Sequence, residues 1–165
     1  MHDGVNKMTT RHFGEIEYDP ANTIVFPQGI PGFHDNKNFL LMSEDPDEDM
    51  LFWLQSLDDG DVAFTLMNVY SILPDYDPQV DQEEIEELGA LSDSSLDIYN
   101  IVTIPEYTRH MRVNLKAPVV INRDTGLGKQ VICTNEEYPI RFMIFEELER
   151  AGKLLAMEKN AGSDA

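Results

Sequence analysis

The side chains able to do chemistry in this 165-residue chain are few and scattered. Its four histidines, His2, His12, His34 and His110, lack the two-histidine helical spacing that sets metal ligands on one face. Cys133 is the single cysteine, which excludes an internal disulfide and a multi-cysteine zinc site. It lies in a β-like run, where a lone buried thiol behaves as a small hydrophobe. Gly126-Leu127-Gly128-Lys129 lacks the glycine spacing of a phosphate-binding loop, and Gln130 stands where Ser or Thr would follow the lysine. The fragment reads instead as a turn between strands ending at Ile121 and starting at Gln130. No serine is framed by the glycines of a nucleophile elbow. Carboxylates are so abundant that some pair could mimic a glycosidase dyad, and that abundance removes the signal. The expectation is a binding protein with no catalytic residue, no cofactor and no metal centre.

Charge is the feature that departs from the average. Twelve Lys and Arg stand against 31 Asp and Glu, a formal net charge of −19. Such a chain repels phosphates, so direct binding to nucleic acid is not expected and the partner it suits is basic. The imbalance is local. Residues 1–97 hold 22 acids and three bases, Lys7, Arg11 and Lys37, whereas residues 98–165 hold nine of each. Between Glu44 and Asp97 there are 17 acids and no Lys or Arg, so the stretch has no cation of its own to neutralise it. A solvated acidic face, a halophile-like surface and a docking surface for a cationic protein all fit this charge.

The elements that would carry these groups are mostly short strands. Residues 1–10 read as a loose leader, residues 11–157 as one domain and residues 158–165 as a frayed tail. Strands are expected over 11–18, 23–26, 39–42, 51–57, 62–67, 99–104, 111–115, 119–121, 130–134 and 140–145, rich in Val, Ile and aromatics and broken by Pro and Gly. Trp53 and Phe64 read as core. Asp45–Asp49 is an acidic loop. Phe26-Pro27-Gln28-Gly29-Ile30-Pro31-Gly32-Phe33 is a shaped loop, because its prolines fix φ and its glycines permit turns that other residues resist. Val80, Ile85, Leu88 and Leu91 recur at helical spacing among acids, with Asp81 as N-cap, Glu84 three residues on and Gly89 as an early stop. A second helix is expected over 146–157, with Leu148 and Leu154 or Leu155 on one face. The fold class that follows is mainly β, a small antiparallel barrel or sandwich-like single domain with one or two short helices. Length and an apolar fraction of 42% suit a single soluble core. No membrane span or secretory signal is visible, so the expected location is the cytoplasm.

Several separated motifs then point to one family. The loop Phe26–Phe33, the run Phe52-Trp53-Leu54-Gln55-Ser56, the segment Ile101-Val102-Thr103-Ile104-Pro105, the block from Val113 through Asn114, Lys116, Ala117 and Pro118 to Asn122, and Lys129-Gln130-Val131 resemble the flagellar assembly factor FliW family in order and spacing. The match runs from about Phe13 to Phe145. The resemblance implies a small, mainly β, non-enzymatic domain that binds two proteins in alternation: flagellin, and the RNA-binding translational regulator CsrA. In that scheme CsrA represses flagellin synthesis, FliW bound to CsrA lifts the repression, and unassembled flagellin captures FliW so that repression returns. The resemblance favours allosteric over direct competition with RNA.

Resemblance and charge together nominate surfaces. Asp75, Asp77, Asp81, Glu83, Glu84, Glu86 and Glu87, with Tyr76 as an aromatic anchor, are the expected CsrA-facing group. Ile30 and Phe33 are the expected exposed contacts for flagellin. Pro27, Gly29, Pro31 and Gly32 are expected to fix their loop, and Asn114, Ala117, Pro118 and Asn122 a strand-to-strand turn. A generic acidic chaperone or solubility module for a basic or aggregation-prone client would share the charge but not the ordered motifs.

Overall fold

The computed structural model describes residues 4–43, 50–89 and 95–153. The acidic loop at 45–49, Leu91, Leu154, Leu155 and the tail lie outside them.

The chain opens with a ribbon of β1 (Asn6–Thr10) and β2 (Gly14–Tyr18), paired antiparallel from Asn6↔Tyr18 to Thr10↔Gly14. The leader expected over 1–10 is therefore a strand from Asn6 onward. Its turn is closed by Thr10, whose hydroxyl donates to the Gly14 carbonyl and accepts from the Phe13 N–H. The ribbon is held to the body where the Arg11 N–H donates to the Gly60 carbonyl and the Phe13 ring meets Trp53 edge-on at 6.0 Å.

Nine further strands form one sheet: β3 (Ile24–Val25), β4 (Asn38–Met42), β5 (Leu51–Ser56), β6 (Ala63–Met67), β7 (Leu96–Thr103), β8 (Arg112–Val113), β9 (Val119–Asn122), β10 (Leu127–Gln130) and β11 (Phe142–Met143). Because β7 pairs with β9 as well as β6, and β10 pairs with both β9 and β3, seven of these strands close into a barrel. Closure removes the exposed edges an open sheet would present. Among the described residues every pairing is antiparallel except β10 with β3, the one departure there from the expected antiparallel sheet. The far half of β7 carries β8, and β8 carries β11, at the open end of the sheet.

Alternation along β5 shows how the barrel is packed. Leu54 and the half-buried Phe52 join Phe26, Ile30, Phe39, Leu66, Val119 and Ile121 in the lumen cluster. Leu51 and Trp53 point the other way, into a second cluster roofed by Val69, Tyr76, Met111, Ile144 and Leu148. With both faces covered, β5 reads as a nearly continuous apolar run. Phe64 is half-buried against the lumen cluster.

Two expectations near the phosphate-loop-like fragment are corrected. The turn is residues 123–126, ending on Gly126 at φ +72°, and Leu127–Gln130 is a strand. Beyond Gln130 the ladder continues only through the Val131 and Cys133 N–H groups, which donate to the Pro118 and Lys116 carbonyls. Gly128 sits over the lumen, where an added Cβ would lie 2.6 Å from Phe26 Cζ. Gly128→Ala is expected to destabilise the fold by about 1–3 kcal/mol through overpacking, measured as a fall in the urea midpoint.

The helices are shorter than their sequence periodicity suggests. Helix α1 spans Gln82–Glu87. Asp81 occupies the N-cap position but its side chain makes no capping hydrogen bond, and the Asp81 carbonyl accepts from the Glu84 N–H instead. Gly89, at φ +77°, ends the helix where expected. Helix α2 spans Phe145–Arg150, so the strand expected to run to 145 is confined to β11. Gly152 at φ +71° stops α2, its N–H donating to the Glu149 carbonyl while that of Lys153 donates to the Leu148 carbonyl. That pair of bonds is a left-handed helix cap that only glycine adopts without strain.

Candidate protein-binding surface

The nominated acids lie on a ribbon, residues 75–89, that crosses the outside of the barrel and is pinned along its length. At its start the Tyr76 hydroxyl donates to the Leu115 carbonyl at 2.6 Å and accepts from Asn100 Nδ2 at 3.0 Å. Asn100 Nδ2 also donates to the Asn114 carbonyl at 2.8 Å. The Tyr76 ring lies 4.8 Å from that of Tyr138, whose hydroxyl accepts from the Asp77 N–H. Burial pushes the Tyr76 phenol well above its ordinary value. Midway, the Gln79 carbonyl accepts from the N–H and hydroxyl of Thr134. At its end the Leu88 carbonyl accepts from Asn122 Nδ2 and the Thr125 hydroxyl, both at 2.9 Å.

This geometry explains two of the motif asparagines. Asn122 ties the helix terminus to the barrel while its Oδ1 accepts from the Asp124 N–H. Asn114 Oδ1 accepts from the N–H groups of Lys116 and Ala117, fixing the turn before β9.

Pinning leaves the acids facing water. Asp75, Asp77, Asp81, Glu83 and Glu86 are exposed, and among the described residues none of them has an ion-pair partner. Glu84 and Glu87 differ, because Lys129 of β10 reaches both, at 3.0 and 2.7 Å. Gln28 Nε2 adds a 3.3 Å bond to Glu87. The hydrogen bond from Lys129 is the main reason the Glu87 carboxyl lies below its usual range. For Lys129, burial alone would push the ammonium down, but Glu87 and Glu84 outweigh it and hold it above its ordinary value. Among the described residues the ribbon thus faces one cation, Lys129, supplied from β10, and five of its seven carboxylates are left without an ion pair.

Two nominated side chains are corrected. Tyr76 is 5% exposed and belongs to the second core cluster, so it holds the ribbon down and offers no ring to a partner. Ile30 is 2% exposed and points into the lumen cluster. Its loop turns inward at Gly29, whose φ is +68° and whose added Cβ would lie 2.8 Å from the His34 Cα. Phe33 is exposed, its ring resting edge-on against Phe64 at 5.1 Å.

The other end of that loop is fixed by Asp58. Its carboxylate accepts from the N–H groups of Lys37 and Asn38, at 2.7 and 2.9 Å, where β4 begins. Burial would push Asp58 up, but these backbone donors outweigh it and hold the carboxyl below the ordinary value of 3.8. A depressed carboxyl stabilises the fold above the unfolded-state value, and that contribution is lost as pH falls through the folded-state value. Asp58→Ala is expected to cost about 1–2 kcal/mol at neutral pH. Chemical denaturation across a pH series should show the gap to wild type closing below about pH 4.

An apolar groove of about 320 Å³ borders the start of the ribbon, lined among others by Leu73, Asp75, Tyr138 and Phe142. Sequence reasoning missed both this groove and the role of Lys129. Tyr138 stands in a polar turn and Lys129 lies more than forty residues from its partners, so neither carries a local signal. Among the described residues no group of three or more His, Cys, Asp or Glu side chains is placed to hold a metal ion, and no helix is long and apolar enough to cross a membrane. Cys133 is buried.

Comparison with known proteins gives one answer. The model of the FliW protein family matches residues 7–144. A flagellar assembly factor FliW of Thermoanaerobacter pseudethanolicus is 44% identical over 146 residues, covering 88% of this chain and 97% of the relative. One of Alkaliphilus metalliredigens is 40% identical over 144 residues, covering 87% and 88%. A crystal structure of a flagellar assembly factor FliW superposes with a TM-score of 0.78 at 33% identity, covering 85% of this chain and 97% of that one. The closed barrel, the motif asparagines that pin its outer ribbon and these matches together place the chain in the FliW family of flagellar assembly factors.

Proposed function

We propose that this chain acts without catalysis, in the cytoplasm, as a two-partner switch. It binds CsrA and relieves repression of flagellin synthesis, and flagellin competes for it so that supply follows consumption. The observation that carries this reading is the set of five exposed carboxylates, Asp75, Asp77, Asp81, Glu83 and Glu86, on a ribbon fixed to a rigid barrel. A protein that grips RNA must present cations, and a preorganised array of carboxylates complements them without an ordering cost at encounter. Phe33, resting on Phe64 of β6, and its loop form the flagellin-facing surface. Antagonism is allosteric, with the ribbon docking on CsrA away from its RNA groove.

The test is a competition by size-exclusion chromatography with purified CsrA and flagellin. The switch requires a stoichiometric complex with each and no ternary species, flagellin displacing CsrA. A ternary complex, or indiscriminate binding of unrelated basic proteins, would instead mark a generic acidic chaperone. Titrating RNA into the CsrA complex then separates the modes of antagonism. Full recovery of RNA binding at excess RNA would rule out the allosteric one.

A further inference from the structure

Two of the cations that have no ion-pair partner among the described residues, Arg112 and Arg141, line one cleft. A cleft of about 260 Å³ between the far half of β7, β8 and the approach to β11 is lined by Ile101, Thr103, Arg112, Asn114, Ile140 and Arg141, together with Val113. Its lining includes two arginines and no acidic residue. Arg112 Nη1 donates only a long 3.5 Å bond to the His110 carbonyl, and among the described residues neither arginine has an ion-pair partner. With 31 acids to 12 bases in the chain, two adjacent arginines without an acid mark a surface whose counter-charge comes from elsewhere.

The surroundings fix the kind of partner. Beside the cleft Ile140 is 60% exposed and Met143 49%, and among the described residues β11 ends the sheet with no strand on its outer side. An extended peptide laid there would present alternate side chains to the cleft, carboxylates to the arginine forks and apolar groups to Ile140 and Met143. A nucleic acid fits less well, since no aromatic ring lines the cleft for a base to stack on and the net charge of −19 opposes a phosphate chain.

We propose that the cleft between β8 and β11 is a docking site for an extended acidic polypeptide segment, read by Arg112 and Arg141. The site is separate from the ribbon at 75–89 and does not depend on the function proposed above.

Fluorescence anisotropy tests it with a fluorescein-labelled peptide of alternating Glu and Val, its twin with Gln in place of Glu, and a labelled uridine oligonucleotide. The Glu peptide binds, its affinity falls as salt rises, and the Gln twin binds at least about tenfold more weakly. Arg112→Gln with Arg141→Gln costs about tenfold or more. Thr103→Glu, which sets a carboxylate at the rim and leaves both arginines in place, blocks binding in a protein whose melting is unchanged. Equal binding of the Gln twin, tighter binding of the oligonucleotide, or undiminished binding by the double and Thr103→Glu variants would overturn the proposal. So would sedimentation showing that the arginine changes abolish self-association and leave peptide binding intact, because the occupant would then be a second copy of the chain.

Discussion

Reversing Asp77, Asp81, Glu83 and Glu86 to lysine together is expected to weaken CsrA binding by about 2–4 kcal/mol at low ionic strength, from about 0.5–1 kcal/mol for each exposed charge. The loss should shrink as salt rises, because these carboxylates face water and Coulomb interactions across them are screened within roughly 10 Å. Flagellin binding should change much less, since Phe33 rests on Phe64 of β6 and its loop meets the ribbon at Glu87, through Gln28, a position left unchanged in this variant. The structure also ranks the acids. Glu84 and Glu87 already face Lys129, so reversing them removes an internal pair and loosens α1, and their effect on affinity should be the smaller one. Calorimetric titration of the two variant sets with each partner checks this. Equal losses for CsrA and flagellin would count against two surfaces, and a larger loss from Glu84 and Glu87 would count against the ranking.

Removing the Tyr76 side chain should have the largest effect on stability. Tyr76→Ala is expected to cost about 3–5 kcal/mol, because it empties a site packed against Tyr70 and Tyr138 and strands the polar groups its hydroxyl serves. Those groups are the Leu115 carbonyl and Asn100, whose Oδ1 is already buried without a partner among the described residues. Tyr76→Phe isolates the hydroxyl and should cost about 1–3 kcal/mol. In urea denaturation both variants should lose midpoint, while folded Tyr76→Phe binds CsrA as wild type does. A Tyr76→Phe protein of unchanged stability would contradict the role given to the hydroxyl.

What the sequence showed and hid follows from which forces act locally. β4, β5 and β6 were legible because each is an apolar run bounded by turn residues, and β5 especially so because both its faces are covered. β1 was hidden because Asn6–Thr10 is mostly polar and belongs to a two-stranded ribbon outside the main sheet, packed on it through Phe13 against Trp53. The helices were overestimated because glycine caps override periodicity. At the candidate site the acids were legible as charge but their neighbours were not. Tyr76 lies between two aspartates, which suggests exposure, yet in an extended segment alternate residues face opposite ways. Asp75 and Asp77 therefore point out while Tyr76 and Pro78 point in. Ile30 was misread for a related reason, since a positive-φ glycine turns the next side chain into the barrel. Lys129 could not be foreseen as a partner of Glu84 and Glu87, because only barrel closure brings β10 beneath α1.

The central claim is that the pinned acidic ribbon is the face CsrA sees. Backbone amide hydrogen exchange of this protein, free and saturated with CsrA, tests it most directly. Slowed exchange centred on residues 77–89, with β8 and β11 unchanged, is the expected result. Protection confined to other parts of the barrel, with the ribbon exchanging as in the free protein, would contradict it.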